Sequence, residues 1–300
     1  MKRSIHLINP ATVRQEMRQL MIISSETGEV KRVPIEDMDT LVLVHPQILI
    51  SHQTLRACAE EGVAVVFSGQ DFHPISISLP FAGHTLHTKI LRQQSKIKEP
   101  LRKQAWQQTV MHKISNQAGL LKDMNAPIAV LNKYAKSVRS DDADNLEARA
   151  AKYYWKHFLD EIPFSRERFG NWPNPLLNYT YAVYRASLAR AVVGAGLHPA
   201  LGFHHKNQYN AFSLVDDLIE PYRPYADRAV LACLAQFSGE EELTTAVKRF
   251  LIASLQGDVK IRKQMSPLLQ AMKVSAQSYV KFIFSETDKI IYPEWHGVNQ

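Results

Sequence analysis

Cysteine is scarce. Cys58 and Cys233 are the only two, far apart and outside any Cys-x-x-Cys spacing. That excludes a disulfide framework or a cysteine zinc site and suits a reducing cytoplasm. No apolar run approaches the ~18 residues of a membrane span, and the opening MKRSIHLINP has a basic head without the apolar stretch of a signal peptide. A soluble cytoplasmic protein is therefore expected. Phosphate-cradling loops are missing too, because neither G-x-G-x-x-G nor a Walker A motif occurs; H-E-x-x-H and G-x-S-x-G are also absent. Nucleotide-loop, zincin and α/β-hydrolase chemistry thus have no support. Acidic residues are depleted in one place. Residues 84–139 hold two (Glu99 and Asp123) against eleven basic ones, so the whole excess of 36 Lys+Arg over 29 Asp+Glu sits in that segment. A local excess of this size favours a phosphate-rich partner.

What is present is globular: 300 residues, 45% hydrophobic and 22% charged, enough for one large domain or two modest ones. Up to about residue 80, strand-length apolar segments recur at 5–8, 20–24, 41–44, 48–51, 63–67 and 75–79, separated by turn signals at 27–28 and 69–71. One helix fits at 51–61, opened by a cap-like Ser51 and stopped by Gly62. After 80–83 the period changes. Trp106, Val110, Ile114 and Ala118 recur every four residues, and further helices are expected at 127–138, 146–159, 176–194, 213–220, 225–237, 243–256 and 267–284. The expected fold is α+β: a small β-sandwich-like N-terminal domain (1–82) followed by a larger all-α C-terminal domain (83–300).

The densest polar constellation runs from 201 to 224. His204 and His205 follow a Gly-containing turn, and Asp216, Asp217 and Glu220 then fall at helical spacings that put acids on one face. Like charges so placed cost about 0.2–0.5 kcal/mol in the open, and a divalent cation would reverse the sign. Pairing with Arg223, Arg228 or Lys206 on a solvated surface is the other explanation. Glu147 is a further acid, in the first turn of a helix expected to be capped by Asp144 or Asn145. Imidazole with carboxylates suits Mg²⁺ or Mn²⁺, with zinc the alternative for imidazole alone. His6, His45, His52 and His73 read as structural or solvated, and Tyr153, Tyr154, Tyr179, Tyr181 and Tyr209 as core tyrosines rather than recombinase nucleophiles. Trp106 reads as core rather than as a base-stacking platform.

Three segments carry a resemblance: EARAAKYYWKHF (147–158), NPLLNYTYAVYRASLARAVVGAGLHPALGFHH (174–205) and SLVDDLIEPYRPYAD (213–227). Together they closely resemble the CRISPR-associated spacer-acquisition integrases, the Cas-one family, in the version found beside type II effectors. The β-then-α organisation agrees with that family along the whole chain. Thr180 departs from the glycine expected in the Asn-Tyr-x-Tyr-Ala segment, and local packing is the expected reason.

The resemblance implies a metal-dependent DNA integrase and endonuclease of antiviral CRISPR adaptation, joining prespacer 3′-hydroxyl ends to the repeat. It implies that Glu147, His205 and Glu220 are catalytic and hold Mg²⁺ or Mn²⁺, with His205 matched as the fourth residue after Leu201 and Asp217 a neighbouring acid that supports them. It implies double-stranded DNA as substrate, a homodimer built through the β domain, a small "Cas-two" partner dimer and an association with the type II effector nuclease. Lys96, Lys98, Arg102 and Lys103 in the basic segment, with Lys206 and Arg223 beside the acids, are the expected DNA contacts. A non-catalytic nucleic-acid scaffold and a general metal-dependent nuclease are the competing functions.

Overall fold

The computed structural model describes residues 3–69, 74–78, 86–159, 164–167 and 169–297. The expected junction at 80–83, the end of the 69–71 turn, Leu79 and His73 lie outside them. The chain forms two compact units, Met1–His87 and Thr88–Gln300.

The first unit holds strands β1 (Arg3–Leu7), β2 (Ala11–Glu16), β3 (Gln19–Ser24), β4 (Val30–Pro34), β5 (Met38–Leu43) and β6 (Leu49–Ile50), helix α1 (His52–Glu60), then β7 (Ala64–Ser68) and β8 (Pro74–Ser78). They make two four-stranded sheets, in the orders β1-β5-β7-β8 and β4-β3-β2-β6. In the first sheet β1, β5 and β7 run parallel and β8 antiparallel. Both sheets feed one core, in which Val13 and Leu20 meet Leu7, Leu41, Leu43, Val65 and Cys58 of α1. Ser51 does cap α1, accepting from the Thr54 amide at 3.2 Å. β2 and β4 escaped the apolar pattern because Arg14 and Glu16 in β2, and Lys31 and Arg32 in β4, take exposed positions. The turn between β2 and β3 also hides its signal: Met17 and Arg18 both take positive φ, the conformation Asn-Gly usually marks. His6 is buried deeply enough that both ring nitrogens are shut off from water, with no hydrogen-bond partner among the described residues.

The second unit is helical: α2 (His87–Ser95), α3 (Glu99–Asp123), α4 (Ala129–Ser137), α5 (Leu146–Phe158), α6 (Asn174–Gly194), α7 (Ser213–Ile219), α8 (Arg223–Gln236), α9 (Thr245–Ala253) and α10 (Leu268–Ile283). Between α9 and α10 sits a hairpin, β9 (Asp258–Ile261) with β10 (Gln264–Pro267). Helical periodicity passed over it because its strands are four residues each and its turn is Arg262-Lys263, again at positive φ. Pro100 in the first turn of α3 separates it from α2. Trp106, Val110, Ile114 and Ala118 are all buried on α3, as their spacing requires. α3 runs against α4, α5 and α8, while α6 packs on α7, α8 and α10. Thr180 is fully buried, its hydroxyl donating to the Leu176 carbonyl at 2.8 Å, which is the local packing expected of it. Tyr154, Tyr179 and Tyr181 are buried as expected, but Tyr209 is 88% exposed and belongs to no core. Among the described residues no helix is long and apolar enough to cross a membrane.

Candidate active site

Glu147 enters the site from the first turn of α5. Asn145 precedes that helix in a left-handed conformation and makes no side-chain cap. The cap comes from Asp142, whose carboxylate accepts from the amides of Leu146 at 2.8 Å and Glu147 at 2.9 Å. This corrects the expectation of Asp144 or Asn145; Asp144 is instead paired with Arg139. An aspartate at the start of the helix satisfies free amides and favours the dipole, so the direction of Glu147 is fixed from behind.

The histidines come from the turn before α7. Asp217, fully buried, collects that turn: its Oδ2 accepts from the amides of Phe203 (2.6 Å) and His204 (3.0 Å), and its Oδ1 from the His205 amide (3.0 Å). The same Oδ1 takes the His205 ring Nδ1 at 2.6 Å. With Nδ1 donating to that carboxylate, Nε2 is the ring nitrogen whose lone pair the neutral imidazole can offer. Gly202 permits this approach, because a Cβ there would fall 2.8 Å from Asp217 Oδ2. His204 goes elsewhere, stacking on the Trp106 ring at 3.7 Å between centroids and 5° between planes. The doublet is thus divided between a packed ring and a carboxylate-oriented one. Gln94 of α2 braces the turn from outside, donating to the carbonyls of His198 and Leu201 and accepting from the His198 amide.

Glu220 closes α7 and is nearly buried, at 5% exposure. Arg223 Nε donates to its Oε1 at 2.8 Å. That guanidinium lies 4.7 Å from the Tyr181 ring centre, and the Tyr181 and Tyr154 hydroxyls both donate to Asp227. Burial raises the Asp227 carboxyl to about 6, outweighing the two phenol hydrogen bonds and the Arg223 charge, which pull it down. Asn116 of α3 donates to the Pro221 carbonyl at 2.8 Å and so ties the Glu220 turn to that helix.

Lys113 joins the two acids. Its Nζ sits 2.6 Å from Glu147 Oε1 and 2.6 Å from Glu220 Oε2. Lys113, one of the eleven basic residues of segment 84–139, is buried. Its position was legible, three residues after Val110 and seven after Trp106, on the apolar stripe of α3. Burial opposes ionisation of Glu220, yet Arg223 and Lys113 outweigh it and hold the carboxyl down at about 2. Burial likewise opposes the Lys113 ammonium, and Glu220 and Glu147 outweigh that in turn, raising its pKa. His205 is raised above 6.5, chiefly by its hydrogen bond to Asp217, with the charges of Asp217 and Glu220 adding to it.

Of the other acids, Asp216 faces away, paired with Arg185 Nε at 2.6 Å and with Asn210. The expected DNA contacts separate into two groups. Lys96, Lys98 and Lys206 are exposed. Lys103 lies 2.7 Å from Glu99, Arg102 donates to the Gly202 carbonyl, and Arg223 is committed to Glu220.

Among the described residues no three His, Cys, Asp or Glu side chains form a ready metal cluster. The donor set nevertheless fits a divalent cation on two observations. Glu147 and Glu220 already share one positive charge, and Oε2 of Glu220 is buried with the Lys113 ammonium, 2.6 Å away, as its charged partner. His205 adds an imidazole whose second nitrogen is held by a carboxylate, the support usual for a metal-binding histidine. Glu147, Glu220 and His205 Nε2 are the groups that would hold the ion.

Comparison with known proteins agrees over most of the chain. Residues 5–246 match the family model described as CRISPR associated protein Cas1. A CRISPR-associated endonuclease Cas1 of Neisseria meningitidis is 37% identical over 279 residues, covering 92% of this chain and 90% of its own. Two solved structures share the fold. A casposase bound to integration product superposes with a TM-score of 0.81 at 20% identity, covering 97% of this chain and 92% of that one. A chain of a Cas6-RT-Cas1–Cas2 complex gives 0.77 at 17% identity, with 98% of this chain and 36% of that one covered.

Proposed function

The chain belongs to the CRISPR-associated Cas1 family, and from that premise we propose that it is a divalent-metal-dependent DNA integrase and endonuclease. It joins the 3′-hydroxyl ends of a short duplex to a CRISPR repeat by transesterification. The observation that carries this reading is the meeting of Glu147 and Glu220 on a single cation, with His205 oriented nearby by Asp217.

In such a displacement a 3′-oxygen forms one P–O bond while another 3′-oxygen leaves, so no protein nucleophile is required. The tyrosines support this, since the hydroxyls of Tyr154 and Tyr181 are committed to Asp227 and that of Tyr153 to the Pro127 carbonyl. When bound, Mg²⁺ or Mn²⁺ supplies Lewis-acid stabilisation of the attacking and departing oxygens. The protein's own part is positioning: Asp142 aims Glu147, Arg223 and Asn116 fix Glu220, and Asp217 holds His205 with Nε2 free. Exposed Lys96, Lys98 and Lys206 supply a sequence-independent grip on the DNA backbone.

The partners proposed are double-stranded DNA, a second copy of the chain, a small Cas2 dimer and the type II effector nuclease. The likeness to a chain from a complex containing Cas2, and to a casposase bound to its integration product, supports the first and third. Glu147→Gln, His205→Ala and Glu220→Gln should each abolish strand transfer and leave DNA binding near the wild-type level. Retained joining in all three variants would take these residues out of the catalytic site, and a wild type that binds DNA without joining it would return the chain to the scaffold reading.

A further inference from the structure

Lys113 is the only charged residue among the buried positions of α3. It points at the two acids from which the site is built, and its Nζ contacts both at 2.6 Å. The two carboxylate oxygens are therefore no farther apart than twice that distance, and a smaller ion between them would draw them closer. The charges already balance: Glu147 and Glu220 against Lys113 and Arg223. A divalent ion entering while both bases stayed would leave two uncompensated positive charges around Glu220, whose side chain is only 6% exposed.

One of the bases is built to stay. Arg223 is held through Nε to Glu220 and by the face of Tyr181, with a planar group that resists displacement. Lys113 carries a compact ammonium on a flexible four-carbon stem. It also borders the open side of the site, because Glu147 is 28% exposed.

We propose that Lys113 is the resident cation of this site: its ammonium holds Glu147 and Glu220 together until a divalent ion enters between them, and is displaced when the ion does so. Lys113 thereby sets the metal affinity of the site and leaves a freed ammonium beside the incoming phosphate. The inference rests on the metal-dependent reading above and adds an internal competitor to it.

Two measurements on the full chain, with Mn²⁺ alone as the probe, test it. Calorimetric titration of wild type, Lys113→Gln and Glu220→Gln should show a Glu220-dependent site that binds roughly tenfold tighter or more once Lys113 is replaced, a shift of about 1.4 kcal/mol. In the wild type, mass spectrometry after brief treatment with an amine-acylating reagent should show Lys113 modified severalfold faster at saturating Mn²⁺, with exposed Lys96 unchanged as the internal control. Equal or weaker binding by Lys113→Gln, with a Glu220-dependent site present in both proteins, overturns the proposal and leaves the metal reading standing. Absence of any Glu220-dependent Mn²⁺ binding overturns both. If Lys113→Gln does not fold, the acylation result decides, and unchanged Lys113 reactivity in a Mn²⁺-loaded wild type contradicts the displacement.

Discussion

Asp217 turns His205 toward the site: one carboxylate oxygen lies 2.6 Å from the ring Nδ1 and also accepts the residue's own amide. Side chain and backbone of His205 are thus fixed by a single buried group. Asp217→Asn removes the charge and turns one of two accepting oxygens into an NH₂ that faces donors. It should let the His205 pKa fall back toward 6.5 and lower strand transfer by about 10- to 100-fold, the usual cost of losing a metal ligand's outer partner. Linkage gives a further sign. Because the folded pKa is raised, the stability contributed by the pair is complete below 6.5 and is lost as pH rises through the folded value. NMR titration of the imidazole in the two proteins checks this; coincident curves would refute the role given to Asp217.

His6 has the opposite dependence. Burial lowers its pKa from 6.5 to about 3, so the neutral ring stabilises the fold fully above 6.5 and the contribution is lost as pH falls toward 3. Between pH 7 and pH 5 the first unit should lose about 2 kcal/mol through this residue alone. Denaturant unfolding of wild type and His6→Leu at the two pH values measures it. A pH-dependent loss as large in the leucine variant as in the wild type would remove His6 as its source.

The C-terminal segment is locked onto α3 by a missing side chain. A Cβ at Gly119 would lie 2.1 Å from Trp295 Cγ, and Trp295 Nε1 donates to Asp123 at 2.9 Å. Gly119→Ala should cost about 1–3 kcal/mol and move the tryptophan emission to the red. The same substitution in a Trp295→Ala background should cost far less, because the clash is gone. Additive costs in the double mutant would contradict this account of the glycine.

The two-part organisation and most of the helices were legible because their apolar residues keep a strict period, as the buried Trp106, Val110, Ile114 and Ala118 show. Elements whose signal is weak in composition were not. The β2–β3 and β9–β10 turns use Met17-Arg18 and Arg262-Lys263 where glycine or asparagine would have announced them. At the site, motif order led to Glu147, His205 and Glu220, but helical spacing alone grouped Asp216 with the other acids, and the fold sends it to Arg185. Lys113 was missed because a lysine in a basic segment reads as solvated, although its spacing from Trp106 and Val110 puts it on the buried stripe of α3.

The basic segment now divides into testable halves. Lys96→Glu with Lys98→Glu changes exposed charges, and should weaken DNA binding across all sequences while reducing the salt slope by roughly one to two. Arg102→Glu should act on the fold instead, through its lost hydrogen bond to the Gly202 carbonyl. Fluorescence anisotropy at several salt concentrations, alongside melting curves, separates the two. An unchanged salt slope in the Lys96/Lys98 variant would take those lysines out of the DNA interface.

The most direct test of the central claim is a strand-transfer assay. A labelled duplex with free 3′-hydroxyls is mixed with a supercoiled repeat-bearing plasmid, the Cas2 partner, and Mg²⁺ or Mn²⁺, with Glu147→Ala as the control. Joined product that requires the metal and disappears in the variant is the predicted result. A wild type that binds the duplex but neither joins nor cuts DNA under these conditions would contradict the assignment of Glu147, His205 and Glu220 as an integrase site.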